Sequence, residues 1–477
     1  MKNKRESVCM EKIFSKKLVL LLVVSLTLFA VSCDTDETVV DEGKAWLKRP
    51  GLGVSYSVEY RPGWTWDRNY KKYNKSFMDE NGNFDFQGPF CDIEQFVALS
   101  KSVGADYHML YAKWHDGICY FNTQLTNWRS PEDYLGQFAT LSKEAKIPFF
   151  FYYSSIFDHN PQFDAIQPFP WSTLSFIQHP DYIEYLKGQY RELVEQYHPD
   201  GLWLDWYATN PCQDKTVRAT IDFFKSTYPE TAIGFNMSSQ YKSSYSLLDY
   251  TIDEIHTLGD PEPHVEGIVS SEWLEAIAGP IFYLTFNGAN GWDKANRFRR
   301  EFDHPWEAIS PVGIFWQDTS IRPDPYHLLR IVAVVMACGG RSNIQANLDM
   351  DGRVFDDHVR QIEMVGEWYK PRKMLFNDST PLKYDGDSAP GITGVPEGYG
   401  AIASQLGEDL LIHIVKREGE ERLSTLEISE AQWGQIQTVY LEPGARALEV
   451  ERENGAVRVH LTEDQVDPVD TILRLDL

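Results

Sequence analysis

Cysteine is scarce and scattered in this chain. Of the six, Cys9 and Cys33 lie near the start, and Cys91, Cys119, Cys212 and Cys338 stand far apart with no metal-site spacing. Buried free thiols are therefore expected, rather than a zinc centre or a disulfide framework. Positive charge is also in deficit, with 45 Lys and Arg against 70 Asp and Glu. So acidic a surface excludes nucleic acid and anionic membrane as partners and leaves a neutral substrate in view. No internal repeat or low-complexity tract is present, which argues against solenoids and disordered arrays. Long apolar runs are missing except for one near the N-terminus.

That run, Leu18 to Val31, follows Lys12, Lys16 and Lys17 and ends at Ser32-Cys33. Its length and basic flank fit a secretory signal better than a membrane-spanning helix. Ala30-Val31-Ser32-Cys33 resembles a loose bacterial lipobox, with Cys33 as the lipidated residue. The acidic Asp34-Thr35-Asp36-Glu37 resembles the surface-export tags of Bacteroidetes lipoproteins. The plainer alternative is an ordinary secretory peptide with a cysteine at the cut. Residues 1–33 are thus read as a lipoprotein signal peptide and 34–46 as a tether, which places the protein in the periplasm or on the surface of a Gram-negative cell. Removing residues 1–32 takes away six Lys/Arg and two Asp/Glu, which moves the net charge from −25 to −29. A membrane is then a partner only through the lipid.

What remains is rich in core-forming residues. Hydrophobic residues make up 43% and aromatics 14%, including 14 Trp and 25 Tyr, enough for a large core and for sugar-stacking surfaces. The length fits a barrel of about 300 residues plus a smaller module. From Leu52 onward short apolar runs alternate with helical stretches, the signature of βα units. The candidate strands are Leu52–Val58, Tyr107–Ala112, Pro148–Tyr153, Leu202–Trp206, Ala232–Met237, Tyr250–Ile255, Ile281–Phe286, Val312–Gln317 and Ser342–Ala346. Nine runs for an eight-stranded barrel mean one too many, and the surplus is expected within 255–320. Two long loops, Arg61 to Pro89 with Trp64 and Ser155 to Pro180 with Trp171, leave strand ends and would rim the active-site face. Beyond Tyr369-Lys370-Pro371 the pattern turns to strands, including Leu410–Val415, Thr438–Leu441, Ala447–Glu453, Ala456–Leu461 and Thr471–Leu477. Asn454-Gly455 between two of them is a hairpin signal. The expected architecture is a (β/α)8 TIM-like barrel over 47–372 and an antiparallel β-sandwich over 373–477.

The barrel is organised around one stretch. Tyr182, Tyr185, Leu186, Tyr190, Leu193, Val194 and Tyr197 recur at helical spacing, with Glu184, Lys187, Arg191 and Glu195 on the other face. Such a pattern predicts an amphipathic helix packed on a sheet. Pro199 and Gly201 end it, and the strand Leu202-Trp203-Leu204-Asp205 carries one carboxylate at its C-terminal end, where catalytic groups of barrels gather. The alternative is an Asp that caps a loop or pairs with a buried Arg.

Other strand ends share this polar character: Ala112-Lys113-Trp114-His115-Asp116-Gly117, and Phe150-Phe151-Tyr152-Tyr153-Ser154. Gly104-Ala105-Asp106-Tyr107 leading into the first of these resembles the second-strand signature of the α-L-fucosidases of glycoside hydrolase family 29. Phe150–Ser154 resembles that family's Tyr-x-Ser strand, and Pro199-Asp200 with Leu202-Trp203-Leu204-Asp205 resembles its nucleophile motif. Gly339-Gly340-Arg341-Ser342-Asn343-Ile344-Gln345-Ala346-Asn347, Asp349-Met350-Asp351-Gly352-Arg353 and Gly366-Glu367-Trp368 resemble its last strand, loop and helix. The resemblance spans about residues 45–375 and implies a retaining glycosidase with Asp205 as nucleophile. It further implies that Trp203 and Tyr152 line the sugar pocket and that His115 holds a fucose hydroxyl; Trp114, beside His115, and Trp64, on the first long loop, are further candidate substrate contacts. Two departures stand out. Trp114-His115 occupies the place of two adjacent histidines, and Gly53-Val54-Ser55-Tyr56-Ser57 offers only Ser57 or Tyr56 where the family has a strand-end histidine.

A retaining glycosidase needs a second carboxyl about 5–5.5 Å from the nucleophile, protonated when it meets the leaving oxygen. Glu254 ends the Tyr250–Ile255 run and is the leading acid/base; Glu266 and Glu272 in the next loop and Asp318 after Val312–Gln317 are alternatives. No metal spacing appears, and the retaining reaction needs no cofactor. The expectation is an exo-acting α-L-fucosidase-like hydrolase on fucosylated host or plant glycans. Rivals are a retaining glycosidase for α-L-galactosides or another deoxyhexose, and a surface glycan-binding protein on an inactive barrel.

Overall fold

A computed structural model describes residues 42–58, 75–155, 158–163, 165–166, 179–205, 215–236, 238, 247–259, 291–314, 316, 318–419 and 421–477. Eight parallel strands close a barrel in chain order. They are β1 (Gly51–Ser57), β2 (Tyr107–Lys113), β3 (Phe149–Ser154), β4 (Gly201–Asp205), β5 (Ala232–Phe235), β6 (Tyr250–Glu254), β7 (Trp306–Pro311) and β8 (Arg341–Asn347). β8 pairs back onto β1 from Gly51↔Arg341 to Ser57↔Asn347, which completes the closure. Seven helices surround it among the described residues of the barrel part: α1 (Ile93–Ser102), α2 (Tyr134–Ala145), α3 (Pro180–Tyr197), α4 (Lys215–Thr227), α5 (Gly291–Glu301), α6 (His327–Ala337) and α7 (Asp356–Tyr369).

Seven of the nine strand expectations fall on barrel strands. The seventh strand is Trp306–Pro311, outside the expected runs, and the described residues of Val312–Gln317 lie in the loop that follows it, where Gly313 bridges to Ile321. Trp306–Pro311 hides from pattern reading because it carries Glu307 at its second position and ends in proline. Ile281–Phe286 lies outside the described residues, as do Trp64, Trp171, Cys33, Cys212, Glu266 and Glu272.

Helix α3 buries the residues its spacing predicted, from Tyr182 to Tyr197. Its end differs from the expectation. His198 itself takes the left-handed C-cap, with φ 54°, and donates its N–H to the Val194 carbonyl. Pro199 cannot continue the helix. Gly201 is instead the first residue of β4, where a Cβ would stand 2.2 Å from the Phe150 ring. A side chain there would push the ring out of the barrel.

The interior is filled in layers, as barrels of this size are. At the N-terminal end Tyr107, Phe150 and Tyr250 lie within the barrel, with the Arg341 guanidinium 3.8 Å from the Tyr107 ring and 4.5 Å from Trp46. Above them Glu307 accepts hydrogen bonds from Tyr107 Oη at 2.6 Å, Trp203 Nε1 at 2.9 Å and Asn343 Nδ2 at 3.0 Å. Three donors satisfy a carboxylate that would otherwise be expensive to bury. Above that layer lie the C-terminal strand ends.

Beyond α7 come a short α8 (Lys373–Asn377) and two antiparallel sheets. The larger runs β15-β14-β18-β12-β11-β9, and the smaller β10-β13-β17-β16. Here β9 is Thr380–Pro381, β10 Ile392–Thr393, β11 Tyr399–Leu406, β12 Asp409–Lys416, β13 Thr425–Ser429, β14 Thr438–Glu442, β15 Arg446–Ala447, β16 Val450–Glu453, β17 Ala456–His460 and β18 Asp470–Asp476. Asn454 and Gly455 both have positive φ between β16 and β17, as the two-residue hairpin requires. One face of the larger sheet shares a core with the smaller through Ile412, Ile414, Leu426, Ile428, Val457 and Leu473. Its other face, with Ile402, Leu411, Val415 and Ile472, joins the barrel's own core.

Candidate active site

The polar strand ends converge because parallel strands in register deliver their last residues to one face. Ser154 of β3 pairs with Asp205 of β4, and Glu254 of β6 pairs with Ile309 of β7. Alternation along β4 points Trp203 and Asp205 to the same side, the barrel interior. Trp203 lies one layer below, its indole given to Glu307 and its ring 5.1 Å from that of Tyr152. Tyr152 is stacked on its other neighbour, Tyr111, at 3.8 Å and 11°. Tyr152 and Trp203 thus support the floor on which Asp205 stands.

Asp205 is 3% exposed and Glu254 5%. Tyr152 Oη donates to Asp205 Oδ2 at 2.6 Å, and His115 Nε2 lies 3.5 Å from the same oxygen. Asn236, the residue after β5, gives its amide nitrogen to Asp205 Oδ1 at 3.2 Å and to Glu254 Oε1 at 2.8 Å. Two acceptors on one nitrogen put those oxygens no more than about 6 Å apart. Burial pushes the Asp205 carboxyl up to about 7, the nearby charge of Glu254 adds to that, and the Tyr152 and Asn236 donors pull it back. Burial and Glu254 thus raise the proton affinity of Asp205, and the two donors favour its carboxylate.

The flanking groups hold this pair in place. His115 Nδ1 meets Ser154 Oγ at 2.6 Å, and burial keeps its imidazole neutral, well below the usual histidine range, with His159 and Lys113 adding to the effect. A bulge between Tyr111 and Lys113 turns β2 here, sending Lys113 outward to Asp158 at 2.5 Å and leaving His115 at the barrel mouth. Behind Glu254, His256 Nε2 lies 3.4 Å from Oε2. The His256 carbonyl is gripped by Arg322 Nη2 at 2.9 Å and His327 Nε2 at 3.0 Å, and its ring meets Trp316 edge-on at 4.8 Å.

The structure brings Asp205, Glu254, His115 and Tyr152 together, with Trp114 packed 4.7 Å from the His115 ring. Asp318 serves elsewhere: its carboxylate accepts from the Ser320 N–H at 3.0 Å and Oγ at 2.5 Å, and it sits in a loop rather than at a strand end. Tyr56 turns outward, donating to the Phe96 carbonyl of α1 at 2.7 Å, so of the two β1 residues only Ser57 remains for the barrel mouth. Asn236, His256 and Glu307 escaped sequence reasoning. Asn236 ends an apolar run as Asp205 does, which was the available signal.

The family model for α-L-fucosidase matches residues 54–373 of this chain, a span that contains every barrel group just described except the start of β1. This chain belongs to the α-L-fucosidase family. An α-L-fucosidase of Dictyostelium discoideum is 22% identical over 326 residues, or 65% of this chain. The match spans 60% of that relative's length. Among solved structures, α-L-fucosidase isoenzyme 1 from Paenibacillus thiaminolyticus covers 91% of this chain and 99% of its own, with a TM-score of 0.63 at 17% identity. The Thermotoga maritima α-fucosidase in complex with fucose covers 90% and 96%, with a TM-score of 0.60 at 15% identity. At such identities the likeness to these two structures is one of fold, and it extends through the C-terminal sheets.

Proposed function

We propose that this member of the α-L-fucosidase family is an exo-acting retaining hydrolase that removes terminal α-L-fucose from glycans. The observation that carries this reading is the pair Asp205 and Glu254, held by one amide nitrogen at the barrel mouth. Inverting enzymes keep their carboxyls about 6.5–9.5 Å apart to admit a water, whereas retaining ones stand at about 5–5.5 Å. The shared Asn236 donor favours the shorter class.

In this mechanism Asp205, ionised, attacks the anomeric carbon while Glu254 gives its proton to the departing glycosidic oxygen. The sugar is held as an ester on Asp205. Glu254 then takes a proton from water, which attacks the same carbon and releases fucose with its configuration retained. The donors on Asp205, Tyr152 Oη and the Asn236 amide, stabilise the carboxylate form that attacks. Tyr152 and Trp203 form the apolar floor of the sugar site, and His115 presents imidazole to a hydroxyl. Trp114 replaces an imidazole with a bulky ring carrying one donor. This favours a looser hold on one ring hydroxyl, and α-L-galactosides, which differ from fucosides only at C6, stand as the second substrate class to test.

The Ser32-Cys33 pattern supports an enzyme held outside the cytoplasm by a lipid on Cys33. The test of function is hydrolysis of aryl α-L-fucosides and α-L-galactosides, followed by proton NMR of the first-formed anomer. α-L-Fucose as that anomer supports the reading, while glycan binding with no turnover would make this barrel a lectin.

A further inference from the structure

Asn236 is 2% exposed, and its amide has only one half committed. Asp205 Oδ1 and Glu254 Oε1 are carboxyl oxygens facing the same atom, and an ionised carboxylate only accepts, so that atom must be the nitrogen. The carbonyl oxygen Oδ1 is thereby aimed away from both, and among the described residues no donor meets it. A buried amide acceptor left without a donor is costly, and native proteins rarely leave one so. The same backbone holds it rigidly: Asn236 N–H donates to the Leu204 carbonyl at 2.9 Å, tying the residue to β4 one step before Asp205.

We infer that Asn236 Oδ1 accepts a hydrogen bond from the sugar hydroxyl next to the anomeric carbon, the 2-hydroxyl, so that one side chain aligns both carboxyls and the substrate. This rests on the proposed roles of Asp205 and Glu254. In that arrangement the anomeric carbon lies between the two carboxyls, beside the amide that joins them. The groups bonded to that carbon are the glycosidic oxygen, the ring oxygen, a hydrogen and C2. Neither oxygen carries a proton, so the nearest donor the sugar can offer is the hydroxyl on C2. Its hydrogen bond would tighten as the carbon flattens toward the oxocarbenium geometry, which converts binding into rate. Asn236 is therefore a substrate-binding residue as well as a positioning one.

The test compares kcat/KM for an aryl α-L-fucoside with that for its 2-deoxy analogue, in wild type and in Asn236→Leu, Asn236→Ala and Asn236→Asp. Taking the ratio within each protein and comparing ratios between proteins cancels the intrinsic reactivity of the deoxy sugar. Leu and Ala remove the acceptor, and the preference for the 2-hydroxyl should shrink about tenfold. Asp keeps an oxygen acceptor for the 2-hydroxyl but loses the amide donor to both carboxyls, so its overall rate should fall while its ratio stays within about twofold of wild type. The 3-deoxy and 4-deoxy analogues should show unchanged ratios throughout. A folded Leu or Ala variant with the wild-type ratio overturns the inference, and so does a collapse confined to the 3- or 4-deoxy sugar. Should neither variant fold, the wild type alone decides: equal affinity for a cationic iminosugar of fuco configuration, which mimics the flattened positive sugar, and for its 2-deoxy analogue overturns it. Failure of the functional reading looks different. A wild type that cleaves no fucoside overturns both, whereas full activity in Asp205→Gly overturns the nucleophile assignment and leaves the 2-hydroxyl ratio readable on its own.

Discussion

Tyr152 and Asp205, on the neighbouring strands β3 and β4, are joined by a 2.6 Å hydrogen bond from the phenol to Oδ2. The ring that makes it is clamped between Tyr111 and Trp203, so the donor cannot follow Asp205 if the carboxylate moves. A fixed donor on one oxygen and Asn236 on the other hold the carboxylate still, as the proposed attack on the anomeric carbon requires. Asp205→Gly should cost roughly 4–7 kcal/mol of transition-state stabilisation, about three to five decades in rate. Azide, entering the space left by the side chain, should restore part of the activity on an activated aryl fucoside and give a product of inverted configuration. Wild-type rates in the variant would make Asp205 a structural residue.

The raised affinity of Asp205 for its proton also has a stability signature. Its ordinary value is 3.8, and in the folded protein it stands at about 7. The folded state therefore binds more protons than the unfolded one across that window, and stability falls as pH rises through it. Asp205→Asn removes the penalty. Urea denaturation should show the variant gaining on wild type as pH climbs from about 4 to about 7, with the difference constant above. A difference independent of pH would mean that Asp205 ionises as freely folded as unfolded.

Glu254→Gln separates the two carboxyls chemically. Substrates with poor leaving groups should lose about 10²–10⁴ in kcat/KM, because no acid protonates the departing oxygen. Activated aryl fucosides should lose far less in the first step. Removing the Glu254 charge also removes one cause of the elevated Asp205 value, so the limb on which the nucleophile ionises should move to lower pH. An unshifted limb in the pH profile of kcat/KM would show that the two groups do not interact.

Lys113 and Asp158 form an ion pair with both side chains fully buried, and the ammonium sits 4.4 Å over the Tyr153 ring. Asp158→Asn would leave a buried cation against a neutral amide and should cost roughly 3–5 kcal/mol in urea unfolding. Lys113→Met with Asp158→Leu together should cost less than the single change. The loop is tied to the site, since His159 N–H donates to the His115 carbonyl at 3.1 Å. A fall in kcat/KM for fucosides should therefore accompany the single variant, and an unaltered Tm in Asp158→Asn would refute the charge argument.

In its native host the protein should label with palmitate, and Cys33→Ala should abolish both the label and membrane association. A soluble wild type cut anywhere but before Cys33 would defeat the lipoprotein proposal.

Local pattern was enough to read much of this molecule. Helix α3 follows from seven apolar residues at helical spacing, and the hairpin at Asn454-Gly455 from two residues able to adopt positive φ. Asp205 was legible because a lone carboxylate after Leu202-Trp203-Leu204 breaks an apolar run at the end that barrels use. These are short-range signals, written in neighbouring side chains. The strand Trp306–Pro311 was not legible, because its Glu307 is tolerable only where Tyr107, Trp203 and Asn343 arrive from three other strands. Nor could sequence choose among Glu254, Glu266, Glu272 and Asp318, since distance to Asp205 depends on the order and register in which strands close. Asn236 shows the same limit. It is 31 residues from Asp205 and 18 from Glu254 in the chain, and only the curvature of β4, β5 and β6 around one axis brings a single amide nitrogen within hydrogen-bond reach of both.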